Sequence, residues 1–395
     1  MRIFYAASNS PNPSIKSNLW RSNLYLPLID LGHDVVEFDY DLGDVFANLD
    51  SSYSDQKKFI DKNRPLISRA LLRQVRQAHK QKPIDLFFSY FYDACVFPEV
   101  IDDIRTMGIR TVNWYCNGSY QMHMVTEISP HYDYCLVPEK FRLDDYRALG
   151  ANPIYTQEAA NPNIYKPYDV PVEFDVTFIG QAYGERPAYI RHLLDAGINI
   201  YVWGYGWKQY SAGWSKLADS AVWRRYLDLA GKLLTREGQR RAAKKLHGRF
   251  IAPLIDGAST QAIVSLPSQI IGGVMSDIDM VRMYSRSKIN LGFSSCGNTH
   301  ETGERILQIR LRDFEVPMSG GFYMVEYMEE IEEFFEIDKE IVCYRNCDEL
   351  ADKIRYYLSN DDAREKIRIA GYERCLRDHT WHKRFQSAFH KMGLN

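Results

Sequence analysis

Arg312 and Glu315 stand three residues apart in the segment 312–321, which closes on Gly320 and Gly321 before the apolar run 322–325. A Glu placed near the start of a helix offers two carboxylate oxygens to a pair of hydroxyls, as a ribose presents them. An Arg beside it answers phosphate charge. An ordinary helix with a first-turn Glu and a Gly C-cap leaves the same pattern. Three further stretches could complete a diphosphate site with these residues. Gly180 and Gln181 open a turn that reaches Arg186 at the head of a predicted helix, so backbone N–H groups and a guanidinium could meet an anion there. Gly204 and Gly206 end the next apolar run, with Trp207 free to pack beside a ligand or to be buried behind a tight turn. The polar loop 294–304 holds His300, Glu301 and Glu304, the clustered titratable groups that could act on a reacting sugar; a solvated loop would look alike.

Several chemistries are not supported. The turn at Gly180 lacks both the dinucleotide and the Walker pattern. No Gly-x-Ser-x-Gly elbow and no Cys-His signature occurs. His123, His131, His247 and His379 are scattered, and Asp277-Ile278-Asp279 precedes a helix and resembles an N-cap. The expectation is a reaction without metal or cofactor.

Strand and helix patterns alternate along the chain, which predicts a parallel sheet covered by helices. Apolar runs at 1–7, 34–38, 85–89, 110–115, 132–137 and 153–155, with helical stretches at 18–31, 56–82 and 98–107, make one doubly wound unit over residues 1–160. Breaker-rich residues then form a linker, 161–174. The pattern restarts as a second unit, 175–380, with strands at 175–180, 198–203, 288–293, 322–325 and 341–344, and a last helix follows at 381–395 that could return to the first unit. The predicted fold is α/β, two Rossmann-like domains facing a cleft, with ligands beyond the C-terminal strand ends. Residues 208–270 interrupt the second domain with a basic helical stretch. Its Trp214, Trp223, Arg240, Arg241, Lys244 and Lys245 suit an anionic membrane surface, or else a solvated face or oligomer contact.

The chain has 395 residues, 45% hydrophobic and 25% charged, enough for two folded domains. A net charge of −2 argues against nucleic acid as a partner. The 27 tyrosines suit clefts that stack rings on sugars or bases. Seven cysteines without a Cys-x-x-Cys pair read as thiols of a reducing compartment. With no signal-like start and no long apolar run, the expected location is the cytoplasm, with peripheral attachment at the inner membrane face.

Residues 175–181, 204–207, 312–315, 320–322, 348–350, 354–358, 370–374 and 379–381, in this order and spacing, resemble glycosyltransferases of the two-domain GT-B fold, group 1 type, in the branch related to the spore-maturation protein CgeB. The resemblance covers about residues 174–390. It implies a second domain that holds a nucleoside-diphosphate sugar and a first domain that holds a hydroxyl acceptor: a surface polysaccharide, a glycolipid or a small metabolite. Glu315 matches the second Glu of the family's Glu-x7-Glu pattern, which holds the donor ribose, whereas position 307 is Leu where the first Glu belongs. His300, Glu301 or Glu304 would have to substitute. The resemblance also implies retention of anomeric configuration. Sugar-nucleotide 2-epimerases share the architecture, and the missing Glu leaves room for a non-catalytic sugar-nucleotide-binding scaffold. On the acceptor side, Asn9, Tyr92 and Asn117 could face the cleft, and Asp93 could act as base on a hydroxyl or serve as a structural hydrogen-bonded carboxylate.

Overall fold

The strands of the described residues sort into two parallel sheets. The structure is a computed structural model and describes residues 1–7, 18–212, 264–302 and 304–394. Asn9 and the residues Trp214, Trp223, Arg240, Arg241, Lys244 and Lys245 of the basic segment lie outside them.

The first sheet comprises β1 (Arg2–Ala6), β2 (Asp34–Glu37), β3 (Leu86–Ser89), β4 (Arg110–Trp114), β5 (Tyr134–Val137) and β6 (Pro153–Tyr155). Their order is β2-β1-β3-β4-β5-β6. The second comprises β7 (Phe174–Ile179), β8 (Ile200–Trp203), β9 (Ser287–Gly292), β10 (Tyr323–Glu326) and β11 (Val342–Tyr344), in the order β11-β10-β9-β7-β8. All pairings are parallel, with Phe4 beside Phe87 in one sheet and Val176 beside Ile289 in the other. Central strands such as β3 and β10 are buried at every residue, because helices cover both faces. Helix Ser54–Gln81 shows how: Ile67, Leu71, Val75 and Ala78 recur at helical spacing and enter the first core.

The helix expected over residues 18–31 is divided. Residues Arg21–Tyr25 form a π-turn, and an α-helix runs only over Leu26–Asp30. Pro27 has no N–H to give, so the regular bonding pattern cannot continue through it.

Each sheet reverses winding direction between two neighbouring strands, β1/β3 in the first and β7/β9 in the second. Crevices form at such switch points, beyond the C-terminal strand ends. The two domains meet across them. Tyr155 donates to Glu330 at 2.5 Å, Lys140 pairs with Glu333 at 2.6 Å, and the Asn18 N–H donates to Asp277 at 2.9 Å.

The chain crosses between domains twice at one place. The Ala160 N–H donates to the His379 carbonyl at 3.1 Å, and the Trp381 N–H donates to the Ala160 carbonyl at 3.2 Å. His379 is caged by Phe314, Phe334 and Phe335. Burial, then the nearby Arg384 charge, pushes its imidazole down to about 4, so it stays neutral. Past this crossing, helix Trp381–Lys391 starts on the Thr380 side chain and packs in the first domain's core. Trp381 stands edge-on to Trp114 at 5.1 Å, and Phe385 edge-on to Phe88 at 5.7 Å.

Truncating such a fully buried indole removes its transfer energy and leaves a cavity. Trp381→Ala is expected to lower the first domain's stability by about 3–5 kcal/mol in urea unfolding. A loss under about 1 kcal/mol would mean that the last helix is not integral to that core.

Candidate functional site

The loops after β7, β8 and β9 enclose a cavity of about 330 Å³ between the domains. Leu19 and Tyr120 of the first domain close it from the opposite side. Its floor is helix Leu311–Met318, and the local sequence explains where that helix lies. Arg310 is extended, and its N–H donates to Asp313 at 2.8 Å, which starts the first turn. At the other end the Gly320 N–H donates to the Pro317 carbonyl and the Gly321 N–H to the Val316 carbonyl, a Schellman closure with Gly320 at φ +71°. Between these stops, Arg312 and Glu315 fall on one helix face, and both line the cavity.

Three arginines converge on this space. Arg186 is buried, donates to the Gln181 carbonyl at 3.0 Å and stacks on the Tyr183 ring at 3.8 Å. Arg310 donates to the Ser295 carbonyl at 2.9 Å. One terminal nitrogen of Arg312 lies 3.4 Å from the Met280 sulfur. In all three the buried Nε has no hydrogen-bond partner among the described residues. The fully buried Glu315 carboxyl makes no bond of ideal geometry, but the Tyr165 hydroxyl and the Asn23 amide stand beside it and favour its charged form. A buried donor or acceptor left unmade costs about 1–3 kcal/mol, and more when charged. Three guanidinium groups and one carboxylate thus line a single cavity, a concentration of charge that suits an anionic ligand.

The electrostatics agree. Burial pulls the Arg186 guanidinium down to about 10, which still leaves it charged near neutrality. Burial pushes the Glu315 carboxyl above the usual carboxylate range, and the Arg312 charge holds it back. Desolvation also opposes the charge on Arg312, the Glu315 carboxylate on the same helix supports it, and the net shift is upward.

Several expected roles are corrected by placement. Glu315 is the fifth residue of its helix, not a first-turn residue. Gly320 and Gly321 close the far end of that helix, packed against Pro167, Asn290 and Val316, and do not line the cavity. Trp207 is fully buried: its Nε1 donates to the Gly180 carbonyl at 2.7 Å, so it braces the turn from behind, and the ring that the turn offers to the cavity is Tyr205. Gly180, Gln181, Arg186 and Gly204 do line the cavity. Glu301 and Glu304 are exposed and His300 is half-buried, and none of them enters it. A bridge between Ser295 and Leu307 and the bond from the Cys296 N–H to the Ile306 carbonyl fold their loop back, so Arg310 is turned inward instead. In the first domain Asp93 accepts from the Ile128 and Glu127 N–H groups at 2.9 and 3.2 Å, away from the cavity. Tyr92 is buried among Phe46, Tyr90 and Tyr115, and Asn117 approaches the Tyr90 and Tyr92 hydroxyls at 3.4 Å; neither faces the cavity.

Arg310, Tyr120, Tyr183 and Tyr205 were not singled out from the sequence. Arg310 had a signal, a second Arg two residues before Arg312. Tyr120 had none, since its helix is only Gly118–Gln121. Among the described residues no group of three His, Cys, Asp or Glu side chains could hold a metal, and no helix is long and apolar enough to cross a membrane.

Two parallel-sheet domains facing a charged cleft define the GT-B fold of glycosyltransferases. The chain belongs to the glycosyl transferase-like family, whose model matches residues 186–389. Among solved structures it is similar to sucrose-phosphate synthase from Thermosynechococcus elongatus, with 10% identity, coverage of 99% of this chain and 98% of that one, and a TM-score of 0.56. HepE from Anabaena in complex with UDP and glucose is similar at 11% identity, 99% coverage of both chains and a TM-score of 0.54. AviGT4, a glycosyltransferase involved in avilamycin A biosynthesis, is similar at 13% identity, 99% and 96% coverage and a TM-score of 0.51. At these identities the likeness is one of fold. No curated protein sequence matches the chain significantly.

The placement of Asp93 has a measurable consequence. Burial raises its folded carboxyl to about 6, against an unfolded value near 3.9, although the two N–H donors oppose the shift. The folded state thus holds the proton more tightly, and this contribution to stability is full below about pH 4 and declines as pH rises through 6. Asp93→Ala is expected to cost about 1–3 kcal/mol at pH 5 and less at pH 8, with ligand binding in the cavity unchanged. Thermal unfolding across this range would refute the structural role if the deficit grew with pH.

Proposed function

We propose that the chain transfers a sugar from a nucleoside-diphosphate sugar to a hydroxyl acceptor, with retention of configuration and without a metal ion, in the branch related to CgeB. The observation that carries this reading is the charge gathered on one cavity: three guanidinium groups, Arg186, Arg310 and Arg312, with one carboxylate, Glu315. A nucleoside diphosphate matches it group for group. The ribose diol donates to the two Glu315 oxygens, and the diphosphate accepts from Arg186, Arg310 and Arg312. As the glycosidic bond breaks, negative charge grows on the departing diphosphate. Cations already fixed in place stabilise that growth without reorganising, which is how such a site lowers a barrier. The UDP and glucose bound by HepE make a UDP-sugar the first donor to test. Retention rests on the family resemblance.

The chemistry at the sugar ring departs from the relatives' pattern. Leu307 stands where they carry a Glu, and it sits in the Ser295 bridge as a partly buried apolar residue. Its neighbour Gln308 is occupied by the Ser119 hydroxyl and, at 3.1 Å, the Cys296 thiol. The sugar would then be held from Arg310 and the backbone of the Gly180 turn, with its reacting centre set by the fixed diphosphate.

Calorimetry with UDP, ADP and GDP tests the site. Arg312→Ala and Glu315→Ala are each expected to weaken binding by about 1–3 kcal/mol, the scale of lost charged hydrogen bonds. Undiminished affinity in both variants would sink the proposal. Because the Glu315 carboxyl is raised, wild-type affinity should fall on acidification while the pH is still above the ordinary carboxylate range of about 4.3. Glu315→Gln should lose that component of the pH dependence. Incubation of a donor sugar with candidate acceptors, followed by anomer analysis, separates the outcomes: an inverted product refutes retention, and a donor isomerised without acceptor identifies an epimerase instead.

A further inference from the structure

We propose that Tyr205 is the platform on which the donor's nucleobase stacks, holding the base by its face and not reading its edge; this rests on the nucleoside-diphosphate reading above. At 61% exposure Tyr205 is the most exposed large hydrophobic side chain among the described residues, yet it is held by one of the most constrained turns. Gly204 and Gly206 on either side have φ of +131° and +89°, a region that side chains other than glycine's rarely adopt. A Cβ on Gly204 would lie 2.3 Å from the Gly180 carbonyl oxygen, so the close approach of the two turns also requires glycine.

Backbone bonds tie this turn down in two directions. The Ala182 N–H donates to the Tyr205 carbonyl at 2.9 Å, which links it to the diphosphate turn, and the Gly204 N–H donates to the Gly273 carbonyl at 3.2 Å, which links it to the segment that carries Val274 and Met275. Trp207 fills the space behind, edge-on to Phe178 at 5.9 Å. The phenol itself has no hydrogen-bond or ring partner among the described residues, although it lines the cavity. Rigid backbone under a solvent-facing, unpartnered ring is a structure for presenting a flat apolar face.

The lining around Tyr205 points to what lies on that face. Arg310 donates to the Ser295 carbonyl and Arg186 to the Gln181 carbonyl, which puts the cationic side of the cavity at the loops after β9 and β7. Glu315 feels Arg312 and Asp277, and Asp277 heads the helix that follows Met275. Val274, Met275 and Tyr205, which the Gly204–Gly273 bond holds together, form an apolar part of the same lining, the surface that suits a base. Stacking on one aromatic face is tolerant of base identity, because every base has a π-face.

Calorimetry of the full chain with UDP, ADP, GDP and inorganic pyrophosphate tests this. Tyr205→Ala should weaken each nucleotide that the wild type binds by roughly 5- to 100-fold, the size of one lost base stack. Tyr205→Phe and Tyr205→Trp should stay within about threefold of wild type, since the face survives. Pyrophosphate, which has no base, should bind all variants alike. Unchanged nucleotide affinity in Tyr205→Ala overturns the assignment while leaving the nucleotide site intact. A matching loss for pyrophosphate overturns it too, because the side chain would then support the turn and not the base. A wild type that binds none of the three nucleotides refutes the nucleotide site and the platform together.

Discussion

The cleft between the domains keeps three guanidinium groups together in a partly desolvated space, where Arg310 and Arg312 oppose the charge on Arg186. Like charges at short range in a medium less polar than water repel, and each loses hydration as well. The protein meets this with fixed partners from behind: the Gln181 and Ser295 carbonyls, the Tyr183 ring and the Met280 sulfur. A single buried carboxylate, Glu315, stands among them from the same helix as Arg312. Such an arrangement is tolerable only because the surrounding backbone cannot relax to let the groups disperse, and the two sheets with their glycine turns supply that rigidity.

The sheet architecture was legible because buried parallel strands must be short apolar runs punctuated by turns and helices. The expected strands at 175–180, 198–203 and 341–344 recur as β7, β8 and β11 with ends moved by a residue or two. Arg312 and Glu315 were legible as a pair because helical spacing puts them on one face whatever the tertiary context. What was not legible depends on contacts between distant segments. Trp207 and Tyr205 are two residues apart, and only the Gly180 carbonyl, accepting from the Trp207 indole, decides which ring is hidden and which is shown. The polar loop at 294–304 looked like the place for reacting groups, but the bridge from Ser295 to Leu307 carries its acidic tip outward. Tyr120 enters the cavity from a four-residue helix in the other domain, which no periodicity could announce. Asp93 had the composition of a base, and backbone N–H groups of residues 127 and 128 claim it.

Gly320 and Gly321 illustrate how one motif can be read for the wrong reason. Their presence correctly marks the segment, because a helix that must present Arg312 and Glu315 needs a sharp stop before β10. Their contribution is to the length and direction of that helix, and they do not line the cavity. A sequence pattern shared by relatives can thus be tied to a site through the backbone it shapes.

The return of helix Trp381–Lys391 to the first core has a consequence for how the polypeptide is made. Chains emerge from the ribosome at about 5–20 residues per second, and domains usually fold as they appear. Here the first six strands emerge long before Trp381, so the face of Trp114 and Phe88 that this helix covers stays open during synthesis of the entire second domain. The second sheet is complete at β11, well upstream of the helix that finishes the first. Completion in the ribosome's order is therefore reversed: the core begun first is the one closed last.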